Sequence, residues 1–341
     1  MGKKFVGNGF ADQMMGERGQ REMFLDRTNR LIDWKHFEKI LRVCEKRPDA
    51  AGNDPYPPIV MFKALLVQRW HCLSDPEMET ALYDRLSFIR FCGLSVMSSV
   101  PDHSTIWRFR EELLQRGLFE KLFAEVNRQL MEKGIMVKET KGAIVDATLI
   151  KSSRRLRKVI EVVPEDRKEE ESAAPHVTVT YSDDADATCA KKGNIIYYGY
   201  KAHVAAESED GFILGGHVTP ANVADITQLE KTLEVSCVPK GSFVVGDKGY
   251  CSEGNRNLLG NKGYGDLIMH KAFRNTPLTG AQKIVNRLIS SIRYKVEQVF
   301  GILKRHYGFE RMRYTGLAKA NMEFLLNAMA YNIKKAVLKT V

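Results

Sequence analysis

Two short apolar runs in this 341-residue chain each break off at an aspartate, and nothing else in the sequence constrains the fold as much. KGAIVDATLI (141–150) carries Asp146 directly after Ala-Ile-Val, and GSFVVGDKGY (241–250) carries Asp247 after Phe-Val-Val-Gly. Short β-branched runs of this kind read as buried strands. Aspartate is a poor strand former, so neither run needs it. Ligands of an open α/β sheet sit at the carboxyl ends of its strands, which gives both acids a functional reading on one rim. The alternative for each is a turn or cap residue.

The surrounding pattern is that of a mixed sheet. NIIYYGYKAHVAAE (194–207) and GFILGGHVT (211–219) predict a hairpin, ADITQLEKTLEVSC (224–237) a helix, and GDLIMH (265–270) a further strand. A long helix is expected over 280–306 and a last one from about 317 to 339, the latter as core or dimer packing. Strand, hairpin, helix, strand and helix in this order give a mixed α/β sheet. Residues 1–137 instead read as short helices around LIDWKHFEKILRVC (31–44), IVMFKALLVQRWHCL (59–73), SDPEMETALYDRLSFIRFCGL (74–94) and SSVPDHSTIWRFREELLQRG (98–117). Pro58, Ser74 or Asp75, and Asp102 stand where helices start. The last helix opens with Ser104, Thr105, Arg108 and Arg110, which fits a helix-turn-helix-like DNA-binding domain. The chain thus divides into a helical domain over 1–137, a candidate for DNA binding and dimerisation, and a domain over 138–341. Within the second, 151–194 is charged and poor in apolar residues, and is expected to be an exposed excursion in which Asp183, Asp184 and Asp186 belong to a solvated linker.

Charge names the class of partner. Lys and Arg total 52 against 42 Asp and Glu, a formal +10 with a pI near 9.2, so a polyanion is expected, nucleic acid ahead of a membrane surface. Between Lys271 and Arg313 ten basic residues face two acids: Lys271, Arg274, Lys283, Arg287, Arg293, Lys295, Lys304, Arg305, Arg311 and Arg313 against Glu297 and Glu310. Glu297 reads either as a cation ligand in this basic field or as a salt bridge to Arg293, one helical turn back. An apolar stripe through Val285, Leu288, Ile292, Val296, Val299 and Leu303 would seat Arg293, Glu297 and Lys304 beside the sheet rim. Three carboxylates from two strands and a helix make an all-oxygen site suited to Mg2+ or Mn2+ rather than Zn2+. Two such ions serve phosphodiester chemistry, with the flanking Lys and Arg on DNA phosphates. Lys201, Lys248 and His203 have two readings each: phosphate or metal-site support, or surface lysines and a core histidine. Asn222 and Asp225 read as helix caps. The six cysteines form no C-x-x-C pair and read as free thiols of a reducing cytoplasm. No apolar run approaches the length of a membrane span, and the N-terminus lacks the apolar core of a secretory signal.

AIVDATLIK, YYGYKAHV, HVTPANVADITQLEKTL, VVGDKGY and RYKVEQVFGILKRHYGFERMRY, in this order, resemble the blocks of bacterial insertion-sequence transposases of the DDE class, in the groups named for insertion sequences four and five. PDHSTIWRFR resembles that family's N-terminal block. The resemblance implies an RNase H-like catalytic domain with the first two acids on adjacent strands and the third on a following helix. It makes Asp146, Asp247 and Glu297 the catalytic, metal-holding triad. The family signature Y-x2-R-x3-E-x6-K falls on Arg293, Glu297 and Lys304, with Ser290 standing where the signature has Tyr. The implied activity is Mg2+-dependent cleavage of the element's terminal inverted repeats and joining of the 3′-OH to target DNA, by a homodimer or larger assembly in the bacterial cytoplasm at the nucleoid. A metal-dependent nuclease of the same fold and a non-catalytic DNA-binding protein are the rival readings.

Overall fold

Proline and short polar caps punctuate the first part of the chain. The structure is a computed structural model that describes residues 23–46, 54–137, 140–156, 158–162, 177–181, 184–236, 238–274 and 276–340; the charge run RKEEES (167–172), Asp183 and Cys237 lie outside them. Its helices are α1 (Phe24–Leu31), α2 (Trp34–Leu41), α3 (Pro58–Trp70), α4 (Asp75–Asp84), α5 (Leu86–Cys92), α6 (His103–Gln115) and α7 (Phe119–Glu132). Pro58 opens α3 at its first turn, where no amide donor is needed. Ser74 and Glu77 form a reciprocal capping box on α4, and Asp102 Oδ1 accepts from Thr105 N at 2.6 Å to start α6. The single helix expected over 74–94 is two, because Arg85 takes an extended conformation between α4 and α5.

The sheet comes next. Strands β1 (Gly142–Lys151), β4 (Thr188–Lys192), β5 (Ile195–Glu207), β6 (Ile213–Pro220), β7 (Phe243–Gly246) and β8 (Gly265–Ile268) form one mixed sheet in the order β4-β5-β1-β7-β8, with β6 paired to β5. β5 runs antiparallel to β1 and β6, whereas β1, β7 and β8 are parallel. β2 (Lys158–Val162) and β3 (Val177–Tyr181) make a separate antiparallel pair.

The expected exposed excursion over 151–194 is therefore corrected at two places. Residues 188–192 are an edge strand on β5, although TCAKK is too polar for hydrophobic patterning to mark it. Asp184 is buried and accepts from Ser152 Oγ and Tyr200 Oη at 2.5 Å each and from Gly316 N at 3.1 Å. It anchors the segment where a solvated linker was expected.

Helices cover both faces. α8 (Leu229–Val235) follows a 3-10 turn over Asp225–Thr227, so the helix expected over 224–237 is shortened at its start. Beyond it come α9 (Glu253–Asn261), α10 (Gly280–Tyr307) and α11 (Leu317–Lys339). Gly215 of β6 lies against Ser236 behind α8 and Gly216 against Phe324 of α11, so adjacent strand residues face opposite layers. α11 is buried almost all round and joins the helical part to the sheet. Trp70 Nε1 donates to Ala330 O at 2.8 Å, and Asn332 bonds both Asn127 at 2.8 Å and Ile213 O at 2.8 Å. One apolar core runs continuously through α1–α7, α11 and the sheet. Among the described residues no helix is long and apolar enough to cross a membrane.

Candidate active site

The parallel ladder between β1 and β7 pairs Val145 with Gly246, so Asp146 and Asp247 are the next residues on adjacent strands. Asp146 does not end its own strand. β1 continues to Lys151 on β5, with Asp146 opposite Val204, and what stops at this level is β7. β7 turns off at Asp247, whose Oδ1 accepts from Gly249 N at 2.6 Å and caps a 3-10 turn over Lys248–Tyr250. A Cβ at Gly249 would lie 2.8 Å from that oxygen, so a side chain there would displace the carboxylate.

α10 lies across β1 and β7, held by buried Asn286, Ile289, Val296, Val299, Phe300 and Leu303. The expected stripe is out of phase in the first turns: Val285 is 37% and Leu288 61% exposed, because Asn286 is the inward residue, bonding His270 N at 2.8 Å and His270 O at 3.0 Å. From this helix Arg293 Nη2 donates to Asp146 Oδ2 at 2.8 Å, each side chain 15% exposed. Ala147 N donates to Asp146 Oδ1 at 2.8 Å. Burial pushes the Asp146 carboxyl above its ordinary value; Arg293 and the Ala147 amide pull it down, Asp247 adds to the rise, and the net direction is up.

Glu297, one turn beyond Arg293, is exposed and enters no ion pair among the described residues; the Arg293–Glu297 bridge does not form, since Arg293 turns to Asp146. At 100° per residue the two project within about 40° of each other, and Glu297 stands about 6 Å further along the axis. No three Asp, Glu, His or Cys side chains are grouped for a metal among the described residues. The donor chemistry at Asp146 and Asp247 nonetheless fits a hard divalent cation: two carboxylates side by side, one of them partly desolvated, with only oxygen to offer.

The predicted supporting residues separate. Lys248 is exposed beside Asp247. Lys304 is half-buried, held below the usual lysine range by burial and by Lys192 and Lys151. Those two lysines were not singled out in the sequence, since Lys192 sits in the unrecognised strand β4. Lys201 donates to Val223 O and pairs with Asp225 at 2.8 Å; Asp225 and Asn222 are not the expected helix caps, since Ala224 precedes the 3-10 turn without a side-chain cap bond and Asn222 bonds Thr188 of β4. His203 is a core residue on the face opposite Asp146, fully buried, bonded to Thr219 Oγ1 at 3.0 Å and stacked on His217.

The predicted DNA contacts divide in the same way. Arg108, Arg274, Lys283, Arg287, Arg305 and Arg311 are exposed, and Ser104 and Thr105 are half-buried in the first turn of α6. Arg110 is a correction. It is fully buried, forks onto Asp75 at 2.8 and 2.7 Å, and lies 4.5 Å from the Tyr314 ring centroid. Arg313 is half-buried and spends its guanidinium on Leu73 O at 2.5 Å and Cys72 O at 2.8 Å, tying the loop before α11 to the end of α3.

Residues 138–333 match the Transposase DDE domain family, and residues 13–112 match a second family described as Transposase domain (DUF772). Among solved structures, a piggyBac transposase synaptic complex with hairpin DNA is similar at 11% identity, covering 90% of this chain and 71% of that one with a TM-score of 0.42. A Mos1 transposase paired-end complex with the left transposon end is similar at 10% identity, covering 96% and 91% with a TM-score of 0.21. Structural likeness at these scores carries no weight, whereas the sequence match spans more than half of the chain. The chain belongs to the DDE transposase family.

Proposed function

We propose that this chain moves an insertion sequence of the groups named for insertion sequences four and five, binding the element's terminal inverted repeats, cleaving its ends and joining the freed 3′-OH to target DNA at the bacterial nucleoid. The observation that carries this reading is the rim itself: Asp146 and Asp247 follow the last paired residues of two adjacent parallel strands, and α10 brings Arg293 onto the first acid and Glu297 to the same side. Two acids on adjacent strands and a third on a following helix support an RNase H-like fold.

Asp146, Asp247 and Glu297 would hold the metal, Mg2+ or Mn2+, two ions to a site. When bound, such ions activate the attacking oxygen and stabilise the leaving one in phosphodiester chemistry. The chain's own residues do the rest. Arg293 aims the Asp146 carboxylate and opposes the rise that burial imposes on it. Lys248, next to Asp247 in sequence, and Lys304, two turns beyond Glu297 on α10, carry charge for the DNA backbone, and Arg274, Lys283, Arg287, Arg305 and Arg311 extend that track. In the helix-turn-helix-like reading, α6 presents Ser104, Thr105 and Arg108 to the inverted repeat, capped by Asp102. Joining two ends to one target calls for a dimer or larger assembly on DNA.

The test uses purified protein, Mg2+ and labelled double-stranded DNA carrying the ends of its own element. Metal-dependent nicking with a joined product supports the transposase. Nicking without joining identifies a nuclease, and binding without cleavage in Mg2+ or Mn2+ overturns the enzymatic reading.

A further inference from the structure

Among the described strands β6 pairs with β5 alone, so its far side is a sheet edge whose backbone groups need other partners. Alternate residues of an antiparallel strand turn both N–H and C=O away from the neighbour. Val218 is one of them: Asn321 accepts from its N at 2.8 Å and donates to its O at 3.4 Å. At the other end, Asn332 accepts from Ile213 N at 2.9 Å, and Asn127 donates to Ile213 O at 3.1 Å and Leu214 O at 3.4 Å. Gly216, two residues before Val218 and opposite Val204, is the next outward residue. It makes no outward bond among the described residues, and it is half-buried where Ile213, Leu214, Gly215, His217 and Val218 are buried. A Cβ there would meet His203 O at 2.4 Å and Phe324 Cζ at 2.8 Å, so no side chain covers this pair of groups.

Gly216 lines a cavity of 530 Å³ between α7, α8 and α11, a size that suits a small ligand. Phe123, Met131 and Leu325 give it an apolar wall. Arg128 is spent on Glu125 and Glu132, whereas Lys231 and Glu120 are exposed and enter no ion pair among the described residues. The cavity thus offers one backbone donor beside one backbone acceptor, an apolar surface, a cation and a carboxylate.

We propose that this cavity binds a nucleotide. The base sets an acceptor and a donor of its edge against Gly216 N–H and C=O, with its rings on the apolar wall. Its phosphate lies by Lys231, and a sugar hydroxyl donates to Glu120. A peptide strand is the poorer fit, because Asn321 and Asn127 occupy the edge on either side and leave a single residue's pair. No covalent bond changes. The row Asp146–Val204–Gly216 sets the site two strands, about 10 Å, from the rim, apart from the cleavage chemistry. The nucleotide comes either free or as an unpaired unit of a DNA strand.

Gly215-Gly216 is the chain's one Gly-Gly step, so glycine labelled with 13C-carbonyl and 15N gives a single correlated amide signal, that of Gly216. The signal is followed by NMR in chelator, on wild type and Asp247→Asn alike, so that failure of the metal chemistry at the rim leaves the result standing. The probes are dAMP, a single-stranded oligonucleotide, the matching duplex and a blocked tripeptide. Saturable movement with dAMP supports a free nucleotide, and movement with the single strand but not with dAMP supports a strand nucleotide. In either case Lys231→Glu weakens binding on the order of tenfold, the contribution of one charge-assisted bond. Ala124→Trp, an exposed position on the cavity wall, abolishes the movement at an unchanged unfolding midpoint. A signal that neither dAMP nor the single strand moves at millimolar concentration overturns the inference. So does movement that persists in Ala124→Trp, or movement with the tripeptide alone.

Discussion

Two of the molecule's guanidinium–carboxylate groupings, one at the joint with α11 and one at the rim, are used differently. Where the helical part meets α11, Arg69 and Glu323 pair at 3.1 Å with each side chain 1% exposed, and Arg110 forks onto Asp75 beside Tyr314. Gln68 adds a bond to Asp75 at 2.6 Å, and Glu323 also accepts from Arg313 N at 2.9 Å. Burial alone would raise the Asp75 carboxyl, yet the Arg110 bonds and charge carry it below its ordinary value. At the rim, one arginine serves Asp146, while Asp247 and Glu297 stand by without ion pairs among the described residues, and the Asp146 carboxyl stays raised. In the first cluster the carboxylates are matched by cations, which suits a joint. The second is short of positive charge at its centre and rich in it around, which suits a site that takes up cations and polyanions.

That contrast makes graded predictions. The largest effect is expected from Asp247→Asn, which should cut DNA end cleavage on the order of a thousandfold or more while leaving the urea midpoint at or above wild type. Next, Glu323→Ala should strand buried Arg69 and cost about 3–5 kcal/mol in urea unfolding, with Arg69→Met in the same chain recovering much of the loss. If Asp247→Asn instead unfolded the protein and Glu323→Ala did not, the assignment of the two regions would be reversed.

A smaller pair of effects separates two arginines two residues apart. Arg110→Ala should lower stability without a base- or phosphate-specific signature, whereas Arg108→Ala should leave the urea midpoint unchanged and weaken binding to end DNA. Within the basic track, Lys283→Ala should reduce the slope of log affinity against log salt by about 0.9, the contribution of one phosphate contact.

The smallest expected effect is on pH. Burial, followed by His217, Lys201 and Lys231, holds His203 down at about 3 from an ordinary 6.5. Between those values the unfolded chain binds the proton and the folded one does not, so stability is complete above 6.5 and falls as pH drops below it. Urea midpoints at pH 7 and pH 5 should differ less for His203→Gln than for wild type.

Much of this was legible from residue patterns. AIV and FVVG marked β1 and β7 because strands buried on both faces need continuous β-branched runs, and the last helix falls at 317–339 as expected because Gly316 precedes a long apolar run. Other features were hidden for stated physical reasons. The sign of a charge does not reveal its burial, so Arg110 read as a DNA contact although Asp75, 35 positions away in sequence, neutralises it. β4 gains its place by pairing on an edge, which a polar sequence permits. A polar residue facing inward, Asn286, shifted the apparent phase of α10. At the candidate site the two aspartates were readable because they interrupt apolar runs.

The most direct measurement is strand cleavage and joining by Glu297→Gln beside wild type, on end DNA in Mg2+, with binding to the same DNA followed in parallel. If Glu297 completes the rim begun by Asp146 and Asp247, both cleavage and joining vanish while DNA binding and the unfolding midpoint stay at wild-type levels. Cleavage that persists in Glu297→Gln would contradict the three-acid site and leave the two strand aspartates to act without the helix.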